Sequence, residues 1–319
     1  MDSKFDVSLM VNVAQMYYCD GLKQDEIAKR LQISRSMISM ILGEAKEVGI
    51  VDIHIRNPLL NNVELTNQIK TSFALQDCYV IPTAIQDINT LRRLVAQRTT
   101  DVFNLLLADQ KKVGITWGRT CYEFITTYSS TGNFKELSVV ALIGGSNQTA
   151  YYFQANEMVR IFAEKLNGIP YFVHGPALAS SAVEKELYLK SASMQAILEK
   201  WQCIDIVISG IGTPPDLDAD KRETYIGEYE VYKQLQGKAV GDICARYFTI
   251  EGELISDAFS ERIIGISVED LKKSKTVIGI AADPQKSYSI LGALRTGIID
   301  ILITDEQTAK AVVKASNLS

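Results

Sequence analysis

The chain has 319 residues, 47% of them hydrophobic, and a formal net charge of −5 at pH 7. This length exceeds one small domain and favours a small head joined to a larger body with a sizeable core. The mildly acidic balance excludes a protein that binds polyanions simply because its whole surface is basic. Neither a secretory signal nor an apolar run of about 18 residues is evident, so we expect a cytoplasmic protein with no membrane partner.

Cysteine and histidine usage argues against disulfides and metal sites. The five cysteines are scattered without paired spacing, which is typical of reduced thiols in the cytoplasm. The two histidines, His54 and His174, lie far apart in the sequence and form no metal-binding pattern. We therefore expect neither a metal ion nor another cofactor.

Residues 22–50 have the pattern of two helices joined by a tight turn. Apolar residues recur at helical spacing around Ile27 and again, after a short polar interval, around Ile38. A preceding helix predicted over residues 7–18 would complete a three-helix core. After Gly49 the alternation in IVDIHI predicts a strand or wing. The pattern favours a winged helix-turn-helix over a helical hairpin that only packs against another surface.

The second of these helices is predicted to contact DNA. Ser34 stands where it should begin, with a side-chain oxygen that can accept a hydrogen bond from a first-turn amide. In a helix-turn-helix protein the exposed start of this helix meets base edges, and the preceding helix lies near the phosphates. The expected DNA-contacting residues are Gln24, Ser34, Arg35, Ser36, Ser39 and Met40.

The predicted head carries little net charge. Residues 1–57 contain seven Lys or Arg and eight Asp or Glu. Affinity for operator DNA must therefore come from the placement of individual basic side chains and from several heads that act together.

Residues 58–319 alternate apolar runs of strand length with amphipathic helices. The strand-length runs are CYVIP, KVGITWG, LSVVALIGG, YFVHGP, CIDIVISGIG, TVIGIA and DILIT. Strands that are apolar throughout and separated by helices indicate an α/β fold with a parallel sheet covered on both faces. The segment AVGDICARYFTIEGELISDAF predicts a hairpin-like insertion that turns at Glu251 and Gly252. We expect a DNA-binding domain over 1–57 and an effector-binding, oligomerising domain over 58–319.

Loops after four of the predicted strands are rich in small and polar residues. Open parallel sheets bind ligands at the carboxyl ends of their strands, where glycine permits close backbone approach and hydroxyls add donors. Each loop alone also fits a tight turn or a solvated lysine, but several at one sheet edge favour an anion site. They supply Gly118, Arg119, Thr120, Gly144, Gly145, Ser146, Gly212, Lys286 and Ser287.

Polar side chains for sugar hydroxyls are predicted elsewhere in the body. The residues are Asn156, Asp257, Glu261 and Arg262. Their alternatives are a helix cap for Asn156 and a surface salt-bridge network for the other three. Asp242 is interpreted as a turn former that supports the insertion.

Stretches along nearly the whole chain match one known protein family in their order. The head carries YYCDGLKQDEIAKRLQISRSMISMILGEAKEVGIVDIHI, and the body carries VGITWGRT, VVALIGG, IVISGIGTP, AVGDICARYF and YSILGALRTGIIDILITDEQTA. Together they resemble the SorC/DeoR-type bacterial sugar-responsive transcriptional regulators. Met40 departs from the family pattern, because such proteins commonly carry a basic residue there. The resemblance implies a body related to sugar-phosphate isomerases and deaminases, and assembly into dimers or tetramers.

The isomerase-like fold leaves three functions to compare. A sugar-phosphate isomerase or deaminase with an appended helix-turn-helix domain would need an acid and a base near one carbon, for which the sequence offers Asp257, Glu261 and His174. A scaffolding protein with a degenerate body would bind no small molecule. The attached head favours a sensor that is not an enzyme, because a ligand of the body can change DNA affinity.

The nature of the predicted pocket indicates the class of effector. Helix N-termini and the ammonium group of Lys286 suit an anion with several oxygens better than a neutral sugar. We expect a regulator of a carbohydrate-utilisation operon whose affinity for operator DNA is controlled by a phosphorylated sugar or polyol.

Overall fold

The computed structural model describes residues 4–51, 61–85, 87–129, 132, 134–146, 150–214, 233, 235–257 and 259–317. The chain divides into two compact units, residues 1–59 and 60–319. The predicted wing falls largely on residues 52–56, which lie outside the described residues.

The smaller unit is built from three helices around one apolar core. The helices are α1 (Val7–Ala14), which continues into a π-helical turn over Gln15–Cys19, α2 (Gln24–Leu31) and α3 (Arg35–Glu47). The fully or nearly fully buried core residues are Met10, Val13, Ile27, Ala28, Ile38, Ile41, Leu42 and Ala45. The two predicted apolar faces of residues 22–50 therefore pack inward, as their helical spacing requires.

A three-residue turn joins α2 to α3. It starts with Gln32 in the left-handed conformation, at a φ of 54°, and ends with Ser34, the N-cap residue of α3. The Oγ atom of Ser34 accepts a hydrogen bond from the backbone N–H of Met37 at 3.2 Å. The predicted cap is present. Arg35, Ser36 and Met37, the first three residues of α3, are exposed.

The larger unit contains nine strands among its described residues. They are β1 (Asp77–Ile81), β2 (Lys112–Ile115), β3 (Ser138–Ala141), β4 (Ile169–Tyr171), β5 (Ile206–Gly210), β6 (Gly241–Ile243), β7 (Arg246–Phe248), β8 (Thr276–Ile280) and β9 (Ile301–Asp305). Seven form one sheet in the order β1-β9-β8-β5-β2-β3-β4. Every pairing in this sheet is parallel, and β3 and β9 are buried along their whole length. The predicted parallel α/β fold is confirmed.

Helices connect these strands. The described helices of the larger unit are α4 (Val63–Ser72), α5 (Ile88–Leu106), α6 (Arg119–Thr127), α7 (Ala155–Leu166), α8 (Ala182–Lys190), α9 (Ala192–Trp201), α10 (Val268–Lys273), α11 (Ser287–Arg295) and α12 (Glu306–Ser316). Short 3₁₀ turns occur at Tyr151–Phe153, Ser260–Arg262 and Pro284–Lys286. Lys286 belongs to the 3₁₀ turn that precedes α11, and α11 itself begins at Ser287.

The order of the strands creates a switch point between β2 and β5. After β2 the chain winds through β3 to β4 at one edge of the sheet, whereas after β5 it winds through β8 and β9 towards the other edge. The connections that leave β2 and β5 therefore diverge at their carboxyl ends. Such divergence opens the crevice in which parallel α/β sheets bind ligands.

The predicted insertion is present and reverses direction twice. Its first reversal, at a position that the sequence did not predict, joins β6 to β7 through Cys244 and Ala245, whose φ angles of 54° and 58° fit a two-residue turn with both central residues left-handed. The second follows the predicted signal at Glu251 and Gly252, where Phe248 and Leu254 form an isolated antiparallel bridge. Neither Cys244 nor Ala245 is a usual turn residue, which is why the sequence did not reveal the first reversal.

Gly144 lies where the backbone of another segment leaves no room for a side chain. A β-carbon there would lie 2.3 Å from the carbonyl oxygen of Pro176, whereas one at the adjacent Gly145 would have its nearest neighbour at 3.6 Å. The Gly144 N–H donates to the Ile264 carbonyl at 2.9 Å, and the Gly145 N–H donates to the Gly175 carbonyl at 2.8 Å. Both amides are thus hydrogen-bonded to the backbone of other segments of the larger unit.

We predict that Gly144→Ala destabilises the larger unit, since neither backbone can give way without breaking these bonds. The expected loss in the free energy of unfolding is about 1–3 kcal/mol, the usual range for overpacking. Urea denaturation followed by circular dichroism measures it. Gly145→Ala is the matched control and should change the free energy by less than half as much. Equal effects of the two substitutions would show that the close contact at Pro176 is not limiting.

Candidate functional site

A cavity of about 550 Å³ lies at the carboxyl ends of β2 and β5, the two strands that flank the switch point, and of β8, which pairs with β5. The segment after β2 lines one side with Gly118, Arg119 and Thr120. The segment after β5 supplies Gly212, and the turn after β8 supplies Lys286. Five of the sequence-predicted effector residues are therefore gathered in one cavity.

Among the described residues, three cationic side chains line the cavity: Arg92, Arg119 and Lys286. The Nζ atom of Lys286 donates to the carbonyl oxygen of Ile211 at 2.9 Å. Burial lowers the pKa of Lys286; Asp242 and Asp283 act in the opposite direction, and repulsion by Arg92 and Arg119 adds smaller lowering effects. Burial also lowers the pKa of Arg92, with Arg119 as the next cause. Cations held this close together favour an anionic ligand, because it relieves their mutual repulsion.

Two carboxylates, Asp242 and Asp283, share the same cavity. The Oδ2 atom of Asp242 accepts a hydrogen bond from the Ala245 N–H at 3.0 Å, which supports the β6–β7 turn as the sequence predicted. A β-carbon at Gly212 would lie 1.9 Å from Oδ1 of Asp242, so only glycine fits beside this carboxyl group. Burial raises the pKa of Asp242 to about 6, while the Ala245 N–H and Lys286 act in the opposite direction. A carboxyl group of this kind accepts or donates a hydrogen bond according to pH.

Aromatic rings complete the lining. Trp117, Phe153 and Tyr247 face the cavity, and the rings of Trp117 and Phe153 are in edge-on contact with centroids 6.2 Å apart. An apolar surface combined with a few placed polar groups is the usual composition of small-molecule sites. The cavity thus offers cations for an anion, carboxyl groups for hydroxyls, and rings for a carbon skeleton.

Eight predicted effector residues do not line this cavity. They are Gly144, Gly145, Ser146, Asn156, Asp257, Glu261, Arg262 and Ser287. The side chain of Asn156 exchanges two hydrogen bonds with the backbone of Val173, at 3.0 and 3.1 Å. Asp257 accepts bonds from the N–H groups of Phe259 and Ser260.

Three further residues of the eight that do not line the cavity are Arg262, Glu261 and Ser287. Arg262 donates from Nε to the Ala179 carbonyl at 2.7 Å. Glu261 is exposed on a 3₁₀ turn, and Ser287 is the first residue of α11. The sequence grouped these residues by the chemistry of their side chains, whereas the structure uses several of them to fix loops.

Sequence reasoning missed Arg92, Trp117, Tyr247 and Asp283 as cavity residues, and interpreted Asp242 as a turn former only. Arg92 comes from the first turns of α5, which begins after β1 and therefore at the carboxyl edge of the sheet. Parallel sheets bind ligands at the carboxyl ends of their strands, and this rule could have pointed to the start of α5. Nothing in the local sequence, however, distinguishes Arg92 from the neighbouring Arg93.

In the smaller unit, five of the six predicted DNA-contacting residues are exposed. Ser34, Arg35, Ser36, Ser39 and Met40 are all exposed at the start of α3, and Gln24 is half-buried at the start of α2. The Nε atom of Arg35 lies 3.7 Å from a carboxylate oxygen of Asp25 in an exposed ion pair. Such a pair contributes little stability, so the arginine can exchange partners readily.

Within the described parts of the chain, no cluster of three or more His, Cys, Asp or Glu side chains could hold a metal ion. No helix among these residues combines the length and the apolar character needed to cross a membrane.

We predict that Asp242→Asn removes a pH dependence of stability. The folded-state pKa of about 6 lies above the ordinary value of 3.8, so this carboxyl stabilises the fold most below pH 3.8. That contribution is lost as the pH rises through 6. Between pH 5 and 7 the free energy of unfolding should fall by up to about 1 kcal/mol more in the wild type than in Asp242→Asn. Parallel slopes in urea denaturation would contradict the shifted pKa.

Comparison with known proteins identifies the family. Residues 57–314 match the family model described as "Putative sugar-binding domain". The chain is 29% identical over 305 residues to the deoxyribonucleoside regulator of Bacillus subtilis, covering 96% of this chain and 97% of that one. It is 28% identical over 315 residues to the sorbitol operon regulator of Klebsiella pneumoniae, covering 98% and 100%.

A solved structure supports the same assignment over almost the whole length. The crystal structure of the full-length sorbitol operon regulator SorC from Klebsiella pneumoniae has a TM-score of 0.75 to this chain, at 28% identity. The match covers 97% of this chain and 99% of SorC. The chain therefore belongs to the SorC/DeoR-type family of bacterial transcriptional regulators with a sugar-binding domain.

Proposed function

We propose that this protein regulates a carbohydrate-utilisation operon by binding operator DNA through its smaller unit, with an affinity set by a phosphorylated sugar or polyol bound in the larger unit. The observation that carries the proposal is the cavity at the switch point, where three cations stand beside two carboxyl groups and aromatic rings. The names of the relatives, a sorbitol operon regulator and a deoxyribonucleoside regulator, support a carbohydrate class of effector.

The charges in the cavity support a phosphate group on the proposed effector. In the described part of the lining, Arg92, Arg119 and Lys286 outnumber Asp242 and Asp283, and burial weakens the hydration of both Lys286 and Arg92. A neutral sugar would leave the repulsion among these cations in place. A phosphate group relieves it and accepts charge-assisted hydrogen bonds of about 1.5–3 kcal/mol each. Asp242 and the aromatic rings would then bind the hydroxyls and the carbon chain.

DNA binding is proposed for the exposed start of α3. Arg35 is the one basic residue in the first two turns of that helix, and its guanidinium can form the bidentate contact that specifies guanine. Because residues 1–57 carry almost balanced charge, we propose that a homo-oligomer, a dimer or tetramer, presents several heads to one operator in the cytoplasm.

An enzymatic function finds less support in the geometry. The three side chains considered as acid or base, Asp257, Glu261 and His174, do not line the cavity. A carboxyl group in the cavity, Asp242, is engaged with the β6–β7 turn. We keep the expectation of a sensor that is not an enzyme, and turnover of a sugar phosphate by the purified protein would overturn it.

We predict that Arg35→Ala lowers the affinity for operator DNA about tenfold or more, because one bidentate guanine contact discriminates by about 1–3 kcal/mol. The measurement is fluorescence anisotropy with the operator, located by footprinting, and with unrelated DNA. Arg30→Ala removes the same charge from the exposed end of α2 and serves as the control. It should weaken both DNAs similarly, whereas Arg35→Ala should weaken the operator selectively. An unchanged ratio for Arg35→Ala would place another residue in the groove.

We predict that Lys286→Ala weakens a phosphorylated effector about tenfold or more and leaves its free counterpart almost unaffected. Isothermal titration with matched pairs, such as sorbitol and sorbitol 6-phosphate or deoxyribose and deoxyribose 5-phosphate, measures both affinities. Lys272→Ala removes an exposed lysine of α10 outside the cavity and should change neither. Tighter binding of the free form by the wild type would refute a phosphorylated effector.

A further inference from the structure

The 3₁₀ turn Tyr151–Phe153, named here the aromatic turn, is docked along the segment that leaves β2. Each of its three rings contacts a different side chain of that segment. Tyr151 packs on Tyr122 with centroids 4.4 Å apart, Tyr152 lies under Arg119, and Phe153 meets Trp117. The backbone adds a further link, because the Gly118 N–H donates to the Tyr152 carbonyl at 2.8 Å. The aromatic turn is therefore fixed beside the cavity by four contacts.

Arg119 is the exposed cation of the cavity. Its guanidinium carbon lies 5.1 Å from the centroid of the Tyr152 ring, and Nη2 lies 3.5 Å from the Tyr152 hydroxyl oxygen. Within the described residues, Nε and Nη1 have no protein hydrogen-bond partner. The guanidinium thus lies over the ring, and its Nε and Nη1 remain available to a ligand.

The neighbouring charges explain why Arg119 needs this support. Arg92 and Lys286 line the same cavity as Arg119. Burial is the largest cause of the lowered pKa values of Arg92 and Lys286, and repulsion by Arg119 is a further cause of both. An exposed arginine under such repulsion would extend into water, where many rotamers are open to it. Stacking on Tyr152 opposes both effects through a cation–π attraction and a restricted set of rotamers. Arg92 is half-buried and its Nη1 is held by Asn89, so it needs no comparable platform.

We propose that Tyr152 is a positioning residue for anion binding: its ring holds the guanidinium of Arg119 with the N–H edge directed to the anionic group of the ligand. The proposal rests on the proposed function, since it assigns the phosphate of that effector to this arginine. It adds the aromatic turn to the determinants that separate phosphorylated from free ligands. Tyr152 itself does not need to touch the ligand.

The test uses the full-length protein and inorganic phosphate as the probe, with affinities from isothermal titration. Tyr152→Leu removes the ring and should weaken phosphate binding about three- to tenfold. Tyr152→Phe keeps the ring and should stay within about twofold of the wild type. In an Arg119→Ala background, Tyr152→Leu should have no further effect, because the side chain that it positions is absent.

A matched control separates positioning from a loosened turn. Tyr151→Leu removes the neighbouring ring, which packs on Tyr122 and does not stack on Arg119, and it should leave phosphate affinity unchanged. The proposal would be overturned if Tyr151→Leu and Tyr152→Leu weakened phosphate binding equally. It would also be overturned if Tyr152→Leu weakened phosphate binding as much in the Arg119→Ala background as in the wild type. Wild-type protein that does not bind phosphate would overturn it as well.

The proposal and the proposed function fail in different ways. If the wild type binds a sugar phosphate and Lys286→Ala weakens it, but Tyr152→Leu binds normally, the function stands and the positioning role is wrong. If the Tyr152 and Arg119 variants behave as expected with inorganic phosphate but no sugar phosphate changes DNA affinity, the positioning role stands and the proposed effector is wrong.

Discussion

The side-by-side parallel pairing of β2 and β5 is the constraint on which the larger unit depends. Because the chain leaves these two strands in opposite directions, their following segments cannot pack against each other, and a cavity opens between them. The same pairing brings Gly118 to Thr120 within one cavity with Gly212, although about ninety residues separate them in the sequence. The next strand outward from β5, β8, adds Lys286. The site is therefore a consequence of strand order more than of any local motif.

Charge is the second organising feature of this cavity. Arg92, Arg119 and Lys286 are placed together before any ligand arrives, and burial, with repulsion among these cations as a further cause, lowers the pKa values of Lys286 and Arg92. The fold supports this arrangement with specific partners: the Ile211 carbonyl for Lys286, Asn89 for Arg92, and the Tyr152 ring for Arg119. Preorganisation of this kind shifts the cost of ordering the cations from binding to folding. An anionic ligand is then favoured over a neutral one of the same shape.

Local and periodic features could be predicted from the sequence, whereas pairings across the fold could not. Ser34 was recognisable as a cap because a side-chain oxygen before an apolar helical pattern has few other uses. The parallel sheet followed from fully apolar strand runs. In the sequence, the glycines after β3 look the same as those after β2 and β5. Gly144 has a different role, because a β-carbon at this position would lie 2.3 Å from the carbonyl oxygen of Pro176. Arg92 enters the cavity from a helix distant in sequence, and only the strand order reveals it.

The proposed coupling between ligand binding in the cavity and DNA binding by α3 can be tested through thermodynamic linkage. If an effector changes operator affinity by some factor, operator DNA must change effector affinity by the same factor. The measurement is the dissociation constant of the phosphorylated effector for the full-length protein, with and without saturating operator DNA. We expect the two constants to differ by about 5- to 150-fold, which is the factor by which the effector should change DNA affinity. Identical constants would show that the two units bind their ligands independently, and would contradict regulation by this cavity.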